Sequence, residues 1–439
     1  MPRMNRHWAS LVYPLILALM GWIYFHHEGL YHEILYFWGA SRKGVAFSDL
    51  NSILTQVWCY GQGFDPYAVH AERPECRGFA YSPFLLELAP VLPSPDYRYL
   101  LGVLNLLTFS AAIQFLPIER RRSDHVLMGL AFVSAPVIWL LETSNLDLLF
   151  IEGALIASFL LCRGAGARLA GYVIVLVSAS LKFYPIVLMG HLARERPRVL
   201  LLALALLAAG VAAFVLTFLS GVTTTMNNLP RAAYFQYCWG AVVLPLGVYY
   251  LTTGIDLLDV DPAGPEPRLA FVPYLVMGVL IGWSVWRAFS YSRDEAFARA
   301  WHAQRDTGKA LMVSGCLVVA GCFMAWANLP YRQAFLLLAL PGMLAMKDPS
   351  TGRPVRLVRV TAVLLIALMW WDTGRVWLAE SLKALGAPDG LDIMLRLGFW
   401  MVGQAIWWHA ISVIGAILLS FLLSSPAMNG MLPARFRRR

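Results

Sequence analysis

The chain has 439 residues, of which 59% are hydrophobic and 14% charged, against roughly 25% charged in soluble domains, so it cannot solvate an ordinary globular surface. Its mean hydropathy of +0.61 is spread over the whole length, which excludes a soluble enzyme with one anchor and the collagenous, coiled-coil and disordered classes. The net charge of +9 sits in loops and ends, including Arg435, Arg437, Arg438 and Arg439. That is a positive-inside pattern and not a nucleic-acid surface, because no aromatic or glycine-rich RNA module accompanies it.

In chain order, Arg3 and Arg6 precede an apolar run from about Ala9 to Phe25 with no small-residue cleavage site after it. This predicts an uncleaved first span that starts in the cytoplasm. Residues 26–78 are the longest polar stretch and read as a large external loop. Full spans, which need about 20 residues, are expected at 98–117, 125–141, 146–162, 198–219, 269–289, 309–327, 333–346, 356–372 and 397–424. Basic clusters at 119–122, 163–168, 194–198, 287–309, 347–359 and the tail are assigned to the cytoplasm. The acidic stretch 256–266 and the segments at Asn145, Asn228, Asn328 and Asp372 are then external.

For these sides to agree, 79–92 and 238–253 must be short or re-entrant. Residues 169–193, broken at Lys182-Phe183-Tyr184-Pro185 with basic residues at both ends, must dip in and return. Broken helices at membrane depth survive only when buried in protein or lining a cavity. The expected architecture is an all-α polytopic membrane protein, one transmembrane domain over 1–439, with about ten to twelve crossings of the length a bilayer requires, short re-entrant helices and a basic cytoplasmic tail at 433–439.

Six cysteines are present and none forms a CxxC. Cys59 and Cys76 share the external loop, where an oxidising compartment lets them pair; the alternative is two free thiols. Cys162, Cys238, Cys316 and Cys322 lie in or beside apolar segments and read as packing. His27-Glu28 followed by His32 misses the metalloprotease spacing by one residue, Gly164-Ala165-Gly166 has no preceding strand, and no Walker A sequence occurs. Chemistry is therefore sought among ionisable residues at membrane depth, which are costly there.

Asp49 is the first of these. It lies in Phe47-Ser48-Asp49-Leu50-Asn51, ahead of an amphipathic stretch (Ile53, Leu54, Val57, Trp58) that reads as a surface helix capped by Ser48. The plain alternative is a first-turn carboxylate favoured by the helix dipole. A turn-rich Gly61-Gln62-Gly63-Phe64-Asp65-Pro66-Tyr67 follows, then Phe79-Ala80-Tyr81-Ser82-Pro83-Phe84, opening a short apolar helix that stops at Pro90 and Pro93.

The order of these segments resembles the GT-C superfamily of membrane glycosyltransferases, in particular the polyprenol-phosphate-mannose-dependent α-mannosyltransferases. Ser144-Asn145-Leu146-Asp147-Leu148-Leu149 is similar to that family's Gly-Gln-x-Asn-x-Leu-Leu, with Ser144 for glycine, Asn145 for glutamine and Asp147 for asparagine. Leu181-Lys182-Phe183-Tyr184-Pro185 is similar to its Leu-Lys-x-x-Pro. Asn328-Leu329-Pro330-Tyr331-Arg332-Gln333 is similar to an Asn-x-x-Tyr-Arg segment of related polysaccharide enzymes. The ordered motifs cover roughly the first 200 residues.

The resemblance implies a GT-C-like bundle in a plasma membrane such as the bacterial inner membrane. It would transfer a sugar, mannose or another hexose or pentose, from a polyprenyl-phosphate donor to a lipid-linked or glycan acceptor on the external or periplasmic face. Asp49 is then the general base. Arg332 is the first candidate for the departing phosphate because its planar fork binds phosphate bidentately. Lys182 is the second, with a structural pairing to Glu152, Glu142 or Asp147 as its alternative.

Asp65, Tyr67, Tyr81, Asn145, Asn228, Arg231, Asn328, Tyr331 and Gln333 are candidate substrate contacts, with Asn227, Tyr234, Gln236 and Trp371 beside them; external aromatics also populate the interfacial belt of any membrane protein. No cofactor is indicated. Asp49, Asp65 and Glu75 could surround a divalent ion, but their spacing does not demand one. A transporter or flippase is the competing class, disfavoured by the absence of an internal repeat and by the long external segment.

Overall fold

A computed structural model of the protein describes residues 8–40, 45–68, 72–76, 78–119, 121–228, 238–253, 271–325 and 327–431. Among them the chain is all-helical, and the β-type pairings are two isolated bridges, Trp239 with Asn328 and Lys347 with Pro354. Four helices are long and apolar enough to cross a membrane: Pro95–Phe115, Pro197–Thr217, Asp306–Ala325 and Gly390–Leu423. Two bent pairs, Arg122–Phe132 with Ala135–Thr143 (45°) and Arg356–Met369 with Trp371–Ala384 (52°), raise this to six if each is one span. The first bend follows from Pro136, which has no N–H to donate to the carbonyl of Phe132.

The expected span at 333–346 has a different form. It is a short 3₁₀ segment, Pro330–Phe335, followed by the ten-residue helix Leu336–Ala345, about 15 Å long at 1.5 Å per residue. Every residue from Leu336 to Leu344 is buried. An apolar run of this length is a core helix as readily as a crossing, and periodicity cannot separate the two when the helix is apolar all round. It packs against Asp306–Ala325 at two glycines. A Cβ on Gly315 would stand 2.6 Å from the Ala339 nitrogen, and one on Gly342 would stand 2.8 Å from Met312 Cβ.

Packing divides the chain into two compact units: 1–46, 110–142 and 231–419 in the first, and 47–109, 143–230 and 420–439 in the second. In the first, Tyr13 in the leading helix Trp8–His26 donates its hydroxyl to the Phe132 carbonyl at 2.5 Å. Clusters read as cytoplasmic meet there: Arg359 pairs with Asp124 at 2.9 Å, Lys347 with Glu119, and Arg299 with Asp348 at 3.0 Å.

In the second unit the long polar loop supplies the helix Ser48–Gly61. Ser48 does not cap it. The N-cap is Phe47, which makes no side-chain cap and has a left-handed φ of 59°. Its ring lies over Gly102, where a Cβ would come within 2.4 Å. Ile53 and Val57 point inward onto Phe79, Leu85 and Leu86, with Tyr67, Tyr81, Leu146 and Leu181 packed around them. Residues 79–92 are short as expected, a six-residue 3₁₀ helix Pro83–Leu88 whose Phe84 N–H is capped by the Ser82 hydroxyl. A disulfide joins Cys59 to Cys76 across 17 residues.

The hairpin at 165–195 is deep. Helix Ala165–Leu181 has 17 residues, about 25 Å, and an eleven-residue 3₁₀ segment, Tyr184–Arg194, returns over about 22 Å. Arg168 closes its base on Glu195 at 2.9 Å, with the Tyr172 hydroxyl on the same carboxylate at 3.1 Å. The neighbouring helix Asp147–Leu161 runs the same interval, so the apex at Lys182 lies level with Asn145 although both ends of the hairpin are basic.

Cys59 and Cys76 are expected to resist alkylation in the folded protein until a reductant is added. Breaking their bridge should cost about 3 kcal/mol for a loop of this size. Equal labelling with and without reductant would contradict the pairing.

Candidate active site

Three segments that are far apart in sequence meet at one amide in the second unit. Asn145 donates its Nδ2 to Asp49 Oδ2 at 2.7 Å. Its Oδ1 accepts from Lys182 Nζ at 3.3 Å and from the N–H of Asp147, the first residue of the helix Asp147–Leu161, at 3.0 Å. Lys182 Nζ also bonds Asp147 Oδ1 at 2.5 Å. Asp49 and Asp147 are both buried, Asp147 completely. Two carboxylates and one ammonium thus share a site with little water, linked through a neutral amide that gives each neighbour the atom it needs. The rings of Tyr81 and Tyr184 lie 5.3 and 5.6 Å from Nζ, within cation–π range.

Asp49 is in the first turn of its helix, as the plain reading had it, but it is buried and engaged by Asn145. Of the three carboxylates considered for Lys182, Asp147 is the partner. Glu152 instead accepts from Thr108 at 3.0 Å, and Glu142, in the first unit, accepts from Tyr31 at 3.2 Å.

Ser144 adopts φ +47°. This is the left-handed region that glycine enters without penalty. Its hydroxyl accepts from Asn105 Nδ2 at 3.0 Å, next to Asn145.

Tyr67 and Tyr81 are tied together through Thr225. The Tyr67 hydroxyl is 3.1 Å from Thr225 Oγ1, which donates to the Tyr81 carbonyl at 3.1 Å. Asp65 is exposed and accepts from the Tyr67 N–H at 2.9 Å, a local turn contact. Glu75 pairs with Arg73 at 3.5 Å. Among the described residues no three His, Cys, Asp or Glu side chains gather where a metal could sit. Asn228 ends the helix Leu219–Asn228; Arg231, Tyr234 and Gln236 lie outside the described residues.

The remaining candidates belong to the first unit. Asn328 exchanges both backbone bonds with Trp239 (3.0 and 2.7 Å) and donates Nδ2 to the Cys322 carbonyl at 2.5 Å. Arg332 Nη1 bonds Asn328 Oδ1. Tyr331 is buried with its ring edge-on to Trp139 at 5.7 Å. Gln333 is buried and lines a small cavity.

Sequence reasoning passed over Arg98. It donates Nη1 to Asn51 Oδ1 at 3.2 Å and Nη2 to the Tyr99 hydroxyl at 3.0 Å, and its buried Nε has no partner among the described residues. Its place beside the Asp49 helix has no local signal, because the contact spans 47 residues. No family model, curated protein or solved structure matches the chain.

Lys182→Met leaves Asp147 buried without its cation and is expected to lower stability by about 3–5 kcal/mol. Lys182→Met with Asp147→Leu should recover most of that loss, as read from thermal unfolding in one detergent. Independent, additive losses would mean that the pair is not coupled.

Proposed function

We propose that the chain is a membrane glycosyltransferase that moves a sugar from a polyprenyl-phosphate donor to a hydroxyl of a lipid-linked or glycan acceptor on the external face. The observation that carries this reading is the single network joining Asp49, Asn145 and Lys182. Those residues come from the three ordered motifs on which the resemblance rests, and their only common feature in sequence is that order.

The chemistry fits the residues. As the acceptor oxygen attacks the anomeric carbon, its proton passes to the Asp49 carboxylate, the bond to the phosphate oxygen breaks, and polyprenyl phosphate leaves. Asn145 holds one carboxylate oxygen from the side, which orients the base, and it adds no charge. Lys182 is committed to Asp147, so its role here is positioning. The departing phosphate needs cations, and Arg98, whose partners among the described residues, Asn51 and Tyr99, are neutral, suits that need within the second unit. Arg332 is the further candidate from sequence.

Purified protein supplied with a polyprenyl-phosphate sugar and an acceptor lipid is expected to form a glycosylated product and free polyprenyl phosphate. Asp49→Asn keeps size and hydrogen bonding and removes basicity, so turnover should fall about a hundredfold to ten-thousandfold with donor binding little changed. Arg98→Ala or Arg332→Ala should instead weaken donor binding along with turnover. Near wild-type transfer by folded Asp49→Asn protein would remove the base.

A further inference from the structure

In the first unit, the bend between Arg356–Met369 and Trp371–Ala384 and the segment at Pro330 enclose a recess walled by Trp239, Trp371, Trp400 and Trp407. Trp239 stacks on Trp407 at 4.5 Å, and Trp371 stacks on Phe399 at 4.1 Å. Gly403 makes room for Trp371: a Cβ there would lie 2.7 Å from the indole nitrogen. The wall is rigid and apolar. Two glutamines interrupt it.

Among the described residues Gln333 Oε1, Gln404 Oε1 and Trp400 Nε1 are buried without a partner, on side chains of residues only 4%, 4% and 8% exposed, and all three residues line the recess. Each is desolvated with nothing in return, which a folded chain sustains where a ligand or water supplies the bond. The recess therefore offers two acceptors and one donor. Asp372, also in its wall, is paired with Arg375 at 3.5 Å, so no uncommitted charge invites an ion. Both Asn328, which is bonded to Trp239, and Asp372 belong to segments read from sequence as external.

Size selects among neutral hydroxyl ligands. The recess has a cavity volume of about 30 Å³. One water needs roughly 10–15 Å³ by that measure, so the interior takes about two heavy atoms. A sugar ring stays at the mouth, and only an exocyclic arm enters. A hydroxymethyl group fits: its CH₂ meets indole faces, its O–H donates to a glutamine oxygen, and its lone pairs accept from Trp400 Nε1.

We infer that this recess receives the hydroxymethyl arm of a hexose and so selects hexoses over pentoses and 6-deoxy sugars. The inference rests on the reading of the chain as a sugar-handling enzyme, and names the substrate class it takes.

The test is saturation-transfer NMR on the full-length protein in nanodiscs, with methyl mannoside and methyl glucoside against their 6-deoxy and pentoside counterparts. The hexosides should bind with saturation centred on the C6 protons, and the analogues should bind about tenfold or more weakly, since two hydrogen bonds are lost. Gln404→Leu and Trp400→Phe, each checked for an unchanged unfolding midpoint, should reduce hexoside binding and leave the weak 6-deoxy binding as it was.

Equal binding of all three classes overturns the inference, as does saturation spread evenly over the ring. Absence of binding in a protein that still transfers sugar also overturns it, leaving a recess filled by water, with the glycosyltransferase reading intact. Hexose-selective binding without any transfer activity sustains the recess and removes that reading instead.

Discussion

Burying two carboxylates against one ammonium is the constraint around which the second unit is organised. Removing charges from water costs several kcal/mol per ion unless each is paired and hydrogen-bonded. Lys182 answers Asp147 directly, and Asp49 takes a bond from a neutral amide. Asn145 serves both because an amide carries a donor and an acceptor on one rigid group, turned toward Asp49 and Lys182 respectively. An aspartate at this position would add a third negative charge, and a leucine would satisfy neither neighbour.

The surrounding structure follows from delivering these groups to one point. The left-handed turn at Ser144 aims the amide. The long hairpin, closed at its basic end by Arg168 and Glu195, carries Lys182 about 25 Å from that end. The disulfide between Cys59 and Cys76 and the apolar contacts of Ile53 and Val57 with Phe79, Leu85 and Leu86 fix the helix that bears Asp49. None of these elements touches a reacting atom in the proposed chemistry, yet each sets where the carboxylate stands.

Much of this was legible in the sequence, for a specific reason. Asp49, Asn145 and Lys182 stand out because polar residues inside apolar or turn-rich segments are costly, and their order carried the resemblance. What stayed hidden depends on long-range pairing. Thr225 joins Tyr67 to Tyr81 across more than 140 residues, Arg98 reaches back to Asn51, and Gln404 looks like one more polar residue in a long apolar helix until the segments bearing Trp239 and Trp371 close over it. Helix lengths were misjudged where apolar composition is shared by spans and core. Leu336–Ala345 reads as a crossing and is a ten-residue buried helix, and nothing in the sequence around Asp372 hints that it lines a cavity with Trp239 and Gln404.

The central claim is that the Asp49 network is where sugar is transferred. A cryo-electron-microscopy structure in nanodiscs, with a non-transferable polyprenyl-phosphate sugar and an acceptor lipid, tests it most directly. The account expects the acceptor hydroxyl within about 2.6–3.2 Å of an Asp49 carboxylate oxygen, with the bond from Asn145 kept on the other side. Donor and acceptor seen together at a place remote from Asp49 would contradict it.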